Sequence, residues 1–384
     1  MSEWRELTLN QITEPVKSTY LPKGDEQLAY IGLEHIEQET LRLTGVGKSS
    51  DVTSNKFKFE TNDVLFGKLR PYFRKVYKPK FSGICSTDIW VFRAKKGFVQ
   101  DYLFYFLASW DFVDTANSGE GGTRMPRADW NFLKSTSWLV PCEEEQKAIA
   151  SVLSSLDDKI DLLHRQNTTL ERMAETLFRL WFVEEAQEVW EEVPLRDVCS
   201  INNGYAFQSE TYRETGQKII RTMNFNNHWI EFNSLVYISE ELARSFGKFY
   251  LRRNDFLLVM VGASLGNFAI VTDDVIPSLQ NQNMWCFRSD ENIFQHYLNF
   301  ALRNIINDAL NGASGSAREF FQKGVFYEIK IQIPPNDLIQ KFHNISESYF
   351  SKIELNRKQI KTLENLRDNL LPKLMSGDVR VRDD

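Results

Sequence analysis

Two long stretches of the chain place apolar residues in alternating steps of three and four. The first follows Pro141 and contains neither Pro nor Gly from residue 143 to residue 183. This spacing predicts a helix with one apolar seam, as in a coiled coil. At 1.5 Å per residue the helix would be roughly 60 Å long. Its predicted pairing positions are Ile149, Leu153, Leu156, Ile160, Leu163, Leu170 and Leu177.

The second stretch starts at Asn336-Asp337, a pair of residues that favours the N-terminal cap of a helix. Pro372 is expected to bend or end this helix, and Gly377 to terminate what remains. Asn356 interrupts the seam here, as Asn167 does in the first helix, and such a polar residue fixes register. The predicted pairing positions are Tyr349, Ile353, Ile360, Leu363 and Leu370.

The chain contains an internal repeat. Residues 158–162 align with residues 351–355, and the match continues without a gap through Gln166 over Gln359. Upstream, Trp90-x-Phe92-Arg93 aligns with Trp285-x-Phe287-Arg288 in the same order. Duplication therefore predicts two similar halves, each a globular part followed by a long helix.

Two copies in one chain can satisfy each other, so the two helices are predicted to form an antiparallel pair with internal pseudo-two-fold symmetry. Two alternatives stay open at this point. Each helix could pack only on its own globular part, or the seam could join two chains in a dimer.

Short runs rich in β-branched and aromatic residues occupy the globular parts and predict strands at residues 63–66, 89–92, 256–261 and 268–271. Short helices are predicted at residues 101–111 and 293–310. The fold class is therefore α+β, with two similar globular domains joined by the two long antiparallel helices. The predicted boundaries are 1–142 for the first domain, 143–184 for the central helix, 185–335 for the second domain, 336–376 for the C-terminal helix and 377–384 for a tail.

The composition of the 384 residues limits where the protein can be located and which cross-links it can form. No stretch approaches the roughly 20 uninterrupted apolar residues of a membrane span, and the first residues lack the build of a secretory signal. The four cysteines lie far apart without a Cys-x-x-Cys spacing. We therefore expect a cytoplasmic protein without disulfides and without membrane association.

The net charge of −6 is unevenly distributed. Residues 1–142 carry 19 Lys and Arg against 17 Asp and Glu, whereas residues 185–335 carry 13 against 18. Residues 66–80 combine six basic and four aromatic residues, and cations of this kind bind phosphate and guanine. A solvated surface hairpin is the alternative. The candidate DNA-binding residues of this segment are Lys68, Arg70, Tyr72, Arg74, Lys75 and Lys78.

The corresponding segment of the second half, residues 259–267, is rich in Gly and Ser instead of cations. Two glycine-rich loops, at residues 121–127 and 312–318, also correspond, and each carries arginine. Flexible glycine beside a cation suits contact with a DNA groove, although ordinary loops have the same composition. The further DNA-binding candidates are Arg124, Arg127, Ser264, Asn267, Arg318 and Lys323. Because the halves differ in charge, Lys68, Arg70, Arg74 and Lys75 are expected to matter more for DNA affinity than any single residue of the second domain. Replacing all four by Ala is expected to weaken binding at low salt and to flatten its salt dependence.

Catalytic chemistry finds little support in the sequence. The five histidines form no H-x-x-x-H pair, so no metal site is predicted. A nuclease hypothesis would combine Asp308 with Glu328 and Lys330, a spacing that occurs often by chance. A protein of this size without a catalytic cluster is expected to be a binder, with no catalytic residues. A protein-interaction adaptor on a coiled-coil rod is the alternative to a DNA binder.

A strand-rich domain, a Pro-x-x-x-x-Gln entry and a long helix, all present twice, resemble the DNA-specificity subunit of type I restriction–modification enzymes. The resemblance rests on residues 66–72, on residues 262–266 and on the helix from Pro141 to Phe182, which recurs from Pro335 to Leu374. It covers nearly the whole chain. The second entry, Pro335 to Gln340, lacks the glutamate that precedes Gln146 in the first.

The resemblance implies a non-catalytic subunit that binds double-stranded DNA and recognises a bipartite target. Two methyltransferase subunits would dock on the helices, whose length would set the unread gap, and restriction (motor–nuclease) subunits would join the complex. This chain would bind no cofactor itself. S-adenosylmethionine, ATP and magnesium are expected on the partner subunits.

Overall fold

A computed structural model of the chain describes residues 4–22, 27–118, 125–232, 234–291, 294–312 and 321–381. The chain divides into two compact units. The first unit comprises residues 1–162 with 359–384, and the second comprises residues 163–358. Each unit therefore contains one globular part and one half of each long helix. The domain boundaries proposed from the sequence keep the helices whole, and they stay a prediction.

The first unit contains eleven strands and four short helices among its described residues, besides its parts of the long helices. The strands are β1 Arg5–Thr8, β2 Thr13–Pro15, β3 Thr19–Tyr20, β4 Ala29–Ile31, β5 Gly47–Lys48, β6 Lys56–Phe59, β7 Val64–Gly67, β8 Val76–Tyr77, β9 Gly83–Cys85, β10 Ile89–Ala94 and β11 Ser137–Val140. The short helices are α1 Leu9–Ile12, α2 Gln100–Ala108, α3 Trp110–Ser118 and α4 Trp130–Leu133. The first long helix, α5, spans Glu143–Arg179 and ends in a π-helical turn, Leu180–Glu184.

The second unit contains eleven strands and three short helices among its described residues, besides its parts of the long helices. Its strands are β12 Glu191–Pro194, β13 Cys199–Asn203, β14 Gln217–Ile220, β15 Phe225–Asn226, β16 Trp229–Ile230, β17 Val236–Ile238, β18 Phe256–Val259, β19 Phe268–Ile270, β20 Ser278–Gln280, β21 Met284–Ser289 and β22 Lys330–Ile333. Its short helices are α6 Glu240–Ala243, α7 Gln295–Gly312 and α8 Lys323–Glu328, and the second long helix is α9 Asn336–Ser376.

The sheets confirm the internal repeat. In the first unit β1 pairs with β11, and a four-stranded sheet has the order β2-β10-β7-β8. In the second unit β12 pairs with β22, and the four-stranded sheet has the corresponding order β13-β21-β18-β19. The strands predicted at residues 63–66, 89–92, 256–261 and 268–271 are β7, β10, β18 and β19 of these sheets. The mixed α+β fold class is thus confirmed.

An ion pair between a buried aspartate and a more exposed arginine recurs at the same place in both four-stranded sheets. Asp63 accepts from Arg93 Nε at 2.6 Å, and Asp255 accepts from Arg288 Nε at 2.8 Å. Both aspartates are almost fully buried, so each needs the arginine to balance its charge. This shared pair shows that the repeat extends from strand order to individual side chains.

The two long helices run antiparallel within each unit. In the first unit Leu153 of α5 shares a hydrophobic cluster with Leu371 of α9. In the second unit Asn356 donates to Asn167 at 2.8 Å, and the Phe342 ring packs 5.1 Å from that of Phe182. Partner numbers rise along one helix as they fall along the other, which defines an antiparallel arrangement.

Of the twelve predicted pairing positions, six are buried and six are half-buried, and the pairing itself stays a prediction. The buried ones are Ile149, Leu153, Ile160, Leu163, Ile353 and Ile360, and the half-buried ones are Leu156, Leu170, Leu177, Tyr349, Leu363 and Leu370.

The expectation that Pro372 bends or ends α9 is wrong in one respect, because the helix continues to Ser376. Pro372 lies in the final turns and is exposed, so the lost backbone hydrogen bond affects only a few residues. Gly377, with φ +79°, follows the helix in the left-handed conformation typical of a C-terminal cap.

Candidate nucleic-acid interface

The loop between β7 and β8 carries the basic residues singled out in the sequence. The Gly67 amide donates to the Lys75 carbonyl at 2.8 Å and closes the loop at its base. Residues Pro71–Phe73 form a 3₁₀ turn inside it. Arg70 and Arg74, on either side of the turn, have φ values of +53° and +47°. This left-handed conformation costs a non-glycine residue about 1–2 kcal/mol, so it calls for a compensating interaction.

Three backbone hydrogen bonds fasten this loop to two neighbouring segments. The Arg70 amide donates to Pro126 O at 2.7 Å, and the Ala128 amide donates to Lys68 O at 2.8 Å. The Lys68 amide donates to Asp88 O at 2.9 Å. The basic loop, the β9–β10 turn and the residues after the glycine-rich loop therefore form one supported surface.

Arg74 does not belong to that surface, which corrects the prediction that it contacts DNA. Its side chain is 2% exposed, and its Nε donates to Ala108 O at 2.7 Å. The guanidinium stacks over the Trp110 ring and forms an ion pair with Asp368 at 3.5 Å. Burial lowers the pKa of Arg74. A phosphate has no access to this cation, whose bonds explain why the strained backbone is tolerated.

Lys75 and Lys78 are also engaged inside the first unit. Lys75 Nζ donates to Leu33 O at 2.5 Å, and burial lowers the pKa of its ammonium group. Lys78 forms an ion pair with Asp101. The prediction that these two lysines contact DNA overlooked this engagement, because sequence spacing does not show which cations have internal partners.

Lys68, Arg70 and Tyr72 remain as the candidates of this loop whose side chains have no described internal hydrogen bond. No described residue accepts a hydrogen bond from the side chain of Lys68 or of Arg70, and both side chains are half-buried. The Arg70 guanidinium lies 6.0 Å from the centre of the Phe73 ring. Tyr72 is 39% exposed, with its ring 4.6 Å from that of Phe73. This group can offer cations and a stacking face to a nucleic acid.

Arg127 lies beside this group and is tied to the β9–β10 turn. Its Nη2 donates to an Asp88 carboxylate oxygen at 3.3 Å, while more than half of the side chain is exposed. An exposed pair of this kind can exchange its acid for a phosphate at little cost. Arg124, the other arginine of this loop, lies outside the described residues.

The β18–β19 loop of the second unit has the same backbone with different side chains. The Val259 amide donates to Asn267 O at 2.8 Å, as Gly67 does to Lys75. The two left-handed positions are Gly262, with φ +88°, and Gly266, with φ +85°. A Cβ on Gly266 would lie 2.6 Å from Leu310 Cδ1, so a side chain there would collide. Glycine thus occupies the places that arginine holds in the first unit.

Supporting bonds of the second loop also correspond to those of the first. The Met260 amide donates to Asn283 O at 3.2 Å, and the Phe321 amide donates to Met260 O at 2.9 Å. Ser264 is half-buried and Asn267 is exposed, so the loop offers neutral polar groups.

The remaining candidates of the second unit follow its glycine-rich loop. Lys323, at the start of α8, holds its ammonium 5.5 Å from the centre of the Tyr327 ring. Arg318 lies outside the described residues. No described contact ties Lys323 to the β18–β19 loop, so the second surface has a weaker cationic component than the first.

Sequence reasoning missed the residues that support the candidates. Asp88, Pro126 and Phe73 hold Lys68 and Arg70 in place, and none of them has a chemical signature of its own. One signal was present in the sequence: aligning residues 67–75 with 259–267 sets Arg70 and Arg74 over Gly262 and Gly266. Glycine at such positions indicates a left-handed backbone.

A nuclease site is not assembled within the described residues. They contain no group of three or more His, Cys, Asp or Glu side chains arranged to hold a metal ion. Glu328 of the hypothetical nuclease triplet forms an ion pair with Arg196 instead. Also within the described residues, no helix is both long and apolar enough to cross a membrane.

Comparison with known proteins matches the duplicated architecture. The family model described as the type I restriction modification DNA specificity domain matches the chain twice, at residues 1–172 and 187–365. The MjaIX specificity subunit of Methanocaldococcus jannaschii is 26% identical over 310 residues, which cover 75% of this chain and 71% of that relative. The MjaVIII specificity subunit of the same organism is 23% identical over 370 residues, covering 91% and 86%.

A solved structure shows the same fold. The crystal structure of the S subunit of a type I restriction–modification system from M. genitalium superimposes with a TM-score of 0.60 at 17% identity, covering 97% of this chain and 96% of that one. The double match of the family model covers well over half of the residues. The chain therefore belongs to the family of type I restriction–modification DNA-specificity subunits.

Proposed function

We propose that this chain determines which DNA sequence a type I restriction–modification complex recognises. The target is bipartite, and each unit recognises one half of it. The observation that carries the proposal is the duplicated loop surface, in which three supporting backbone hydrogen bonds recur in both units while the side chains differ. A scaffold that both units share, with loops that differ, is the arrangement expected of a protein that recognises DNA sequence. Loops on rigid elements can change specificity without changing the fold.

The difference between the two surfaces suggests two different half-sites. The first unit offers Lys68, Arg70 and Arg127, which suit phosphates and guanine edges. The second offers Ser264 and Asn267, whose neutral groups can pair with either donors or acceptors on bases. Unequal surfaces on a shared scaffold would give an asymmetric target.

Methyltransferase subunits are proposed to dock on the long helices. Leu162 and Leu366 of the first unit are 49% and 45% exposed. The repeat relates them to Leu355 and Met173 of the second unit, which are 48% and 44% exposed. Folding does not require these apolar side chains at the surface, and their recurrence in both units suits two identical partners.

The chain is proposed to have no catalytic role of its own. On this proposal the methyltransferase subunits bind S-adenosylmethionine, and the restriction subunits supply ATP hydrolysis and DNA cleavage with magnesium. The residues of the two loops can bind and orient DNA, but they form no constellation of nucleophile, base and oxyanion donors.

The proposal is tested with the chain purified together with its methyltransferase subunits. Electrophoretic shifts on a library of duplexes should enrich sequences with two separated defined parts. An adaptor would show no preference among duplexes, and this result would refute the proposal.

Docking is tested by replacing exposed leucines with glutamate. Leu162→Glu and Leu355→Glu should each reduce the number of methyltransferase subunits that co-purify, because a charge opposes burial of an apolar contact. Leu21→Glu is the matched control, since Leu21 is 56% exposed and lies outside the helices. Equal co-purification of all three variants would contradict docking at these positions.

A further inference from the structure

The two left-handed arginines of the β7–β8 loop have unlike environments. Arg74 is enclosed and bonded, so internal contacts account for its backbone conformation. Arg70 has no such partner, because its guanidinium forms no hydrogen bond or ion pair with a described residue. A left-handed backbone position whose side chain has no described polar partner is a candidate functional position.

Arg70 is nevertheless held firmly. Its amide is bonded to Pro126 O at 2.7 Å, and its carbonyl accepts from the Phe73 amide at 3.0 Å. Its Nε is buried without a partner, and its guanidinium lies over the Phe73 ring. Because Nε is buried, only the two terminal amino groups of the guanidinium can donate hydrogen bonds to a ligand. Arg70 therefore presents a pre-oriented fork of donors.

A fork of this kind matches an acceptor with two adjacent atoms. In DNA these are the O6 and N7 atoms of guanine in the major groove or two oxygens of a phosphate. Lys68, the neighbouring cation, is a point charge that suits phosphate without directional constraint. A phosphate contact can be made by Lys68 without a fixed fork, whereas bidentate reading of a base requires one.

We infer that Arg70 reads a guanine in the half-site contacted by the first unit, an inference that rests on the proposed function. The second unit has Gly262 at the corresponding position, and a Cβ added there would meet nothing within 4 Å. That unit makes no side-chain contact with DNA from this place. The two half-sites consequently differ at the base pair that faces this loop position.

The test uses the chain assembled with its methyltransferase subunits and a set of duplexes. Each base pair of the target is replaced in turn, and the dissociation constants are measured for wild type and Arg70→Gly. Glycine suits the positive φ and reproduces the second unit, so this variant keeps the loop backbone. At one G·C pair, wild type should lose affinity about 5- to 150-fold on replacement by A·T. Arg70→Gly should bind both duplexes equally.

Two further variants separate reading from charge. Arg70→Lys retains the cation without the planar fork and should discriminate less than wild type at that base pair. Lys68→Ala should weaken binding to all duplexes by a similar factor and reduce the salt dependence by about one ion while retaining the discrimination.

The contradicting outcomes are distinct. If Arg70→Gly weakens every duplex by the same factor, Arg70 contacts phosphate and the inference is wrong. If it discriminates at every position as wild type does, Arg70 contacts no base. If wild type itself shows no sequence preference, the proposed function fails, and not merely the assignment of Arg70.

Discussion

The first and second units differ in the side chains at the junction between the globular part and the long helices. In the first unit Arg367, 2% exposed, pairs with Asp157 at 3.0 Å and donates to Thr40 O. Tyr105 donates to the same carboxylate at 2.7 Å. Burial raises the pKa of Asp157 despite the guanidinium beside it. The ionised carboxylate is thus poorly accommodated without its partners.

The repeat places only apolar side chains at these positions in the second unit. Ala174, Phe350 and Phe300 stand where the first unit has Arg367, Asp157 and Tyr105, and the rings of Phe350 and Phe300 lie 6.2 Å apart. One fold therefore accepts either a polar network or an apolar contact at this junction. The polar version is not needed for folding in general, but once present it becomes sensitive to loss of one member.

Replacing Arg367 by Ala is expected to have the largest effect. It leaves Asp157 buried without its cation and should lower the free energy of unfolding of the first unit by about 3–5 kcal/mol. Hydrogen exchange of α2 measures this loss. The matched variant adds Asp157→Phe and Tyr105→Phe, which copies the second unit, and should recover most of the stability. A loss below about 1 kcal/mol for Arg367→Ala alone would contradict the importance of the pair.

A second test compares the two units under acid. In the second unit a hydrogen bond with His296 at 2.9 Å, against the opposing effect of burial, holds the pKa of Glu347 well below its ordinary value of 4.5, and Arg253 adds to this effect. The carboxylate therefore stabilises this unit fully above about pH 4.5, and the contribution is lost as the pH falls below that value. Asp157, whose pKa is raised, shows no such loss.

Glu347→Gln should reduce the stability of the second unit by about 2–3 kcal/mol at pH 7, the range for hydrogen bonds to charged groups. Its difference from wild type should shrink as the pH is lowered from 6 to 3. Chemical denaturation at several pH values, with hydrogen exchange of α7 as the local probe, gives both numbers. A difference that is independent of pH would mean that Glu347 acts by packing alone.

The left-handed loop positions give a third comparison. Arg74→Gly suits the backbone but removes the buried guanidinium and its bonds, so a loss of about 2 kcal/mol is expected. Gly266→Ala keeps the second loop small but forces a side chain into a positive φ beside Leu310, at a cost of about 1–2 kcal/mol. Thermal unfolding of both variants checks the values. If Arg74→Gly were more stable than wild type, the buried guanidinium would destabilise the fold, and this expectation would be wrong.

The smallest effect is expected in the helix pair of the second unit. Asn356 donates to Asn167 and, at 2.9 Å, to Gln166, while its own amide oxygen is buried without a partner. Replacing Asn356 and Asn167 together by Leu should change stability by about 1 kcal/mol or less, because lost hydrogen bonds are offset by apolar burial. It should also loosen the register that the amides specify. Cross-linking between cysteines placed on the two helices detects a shifted register, and an unchanged pattern would contradict this role.

The fold was accessible from the sequence wherever a pattern repeats. The seam with Leu153 and Ile353, the strands around Asp63 and Asp255 and the duplication itself all follow from periodicity or alignment. Pro372 misled because its effect depends on how many turns follow it, which the residue type alone does not show. Periodic signals are local, and local signals are what a single sequence contains.

The candidate site was accessible only in part. Within residues 66–80, Lys68 and Arg70 donate no side-chain hydrogen bond to a described residue and Tyr72 is exposed, whereas Arg74, Lys75 and Lys78 have internal partners. The side chains of Arg74 and Lys75 donate hydrogen bonds to the carbonyls of Ala108 and Leu33, which are distant in sequence. Residue spacing does not reveal such long-range contacts. Predicting which cations are free requires the tertiary contacts.

The most direct test exchanges the reading surface of one unit and identifies the DNA that becomes methylated. Residues 68–73 are replaced by residues 260–265, which have the same length and lie within the same closing backbone bond, while Arg74 and Lys75 are retained. Methylation is then mapped across the genome of cells that carry either chain with its partner subunits. We expect a motif of two separated parts, of which the exchange alters one and leaves the other intact. A single continuous motif, or an exchange that changes both parts or neither, would contradict reading by two independent units.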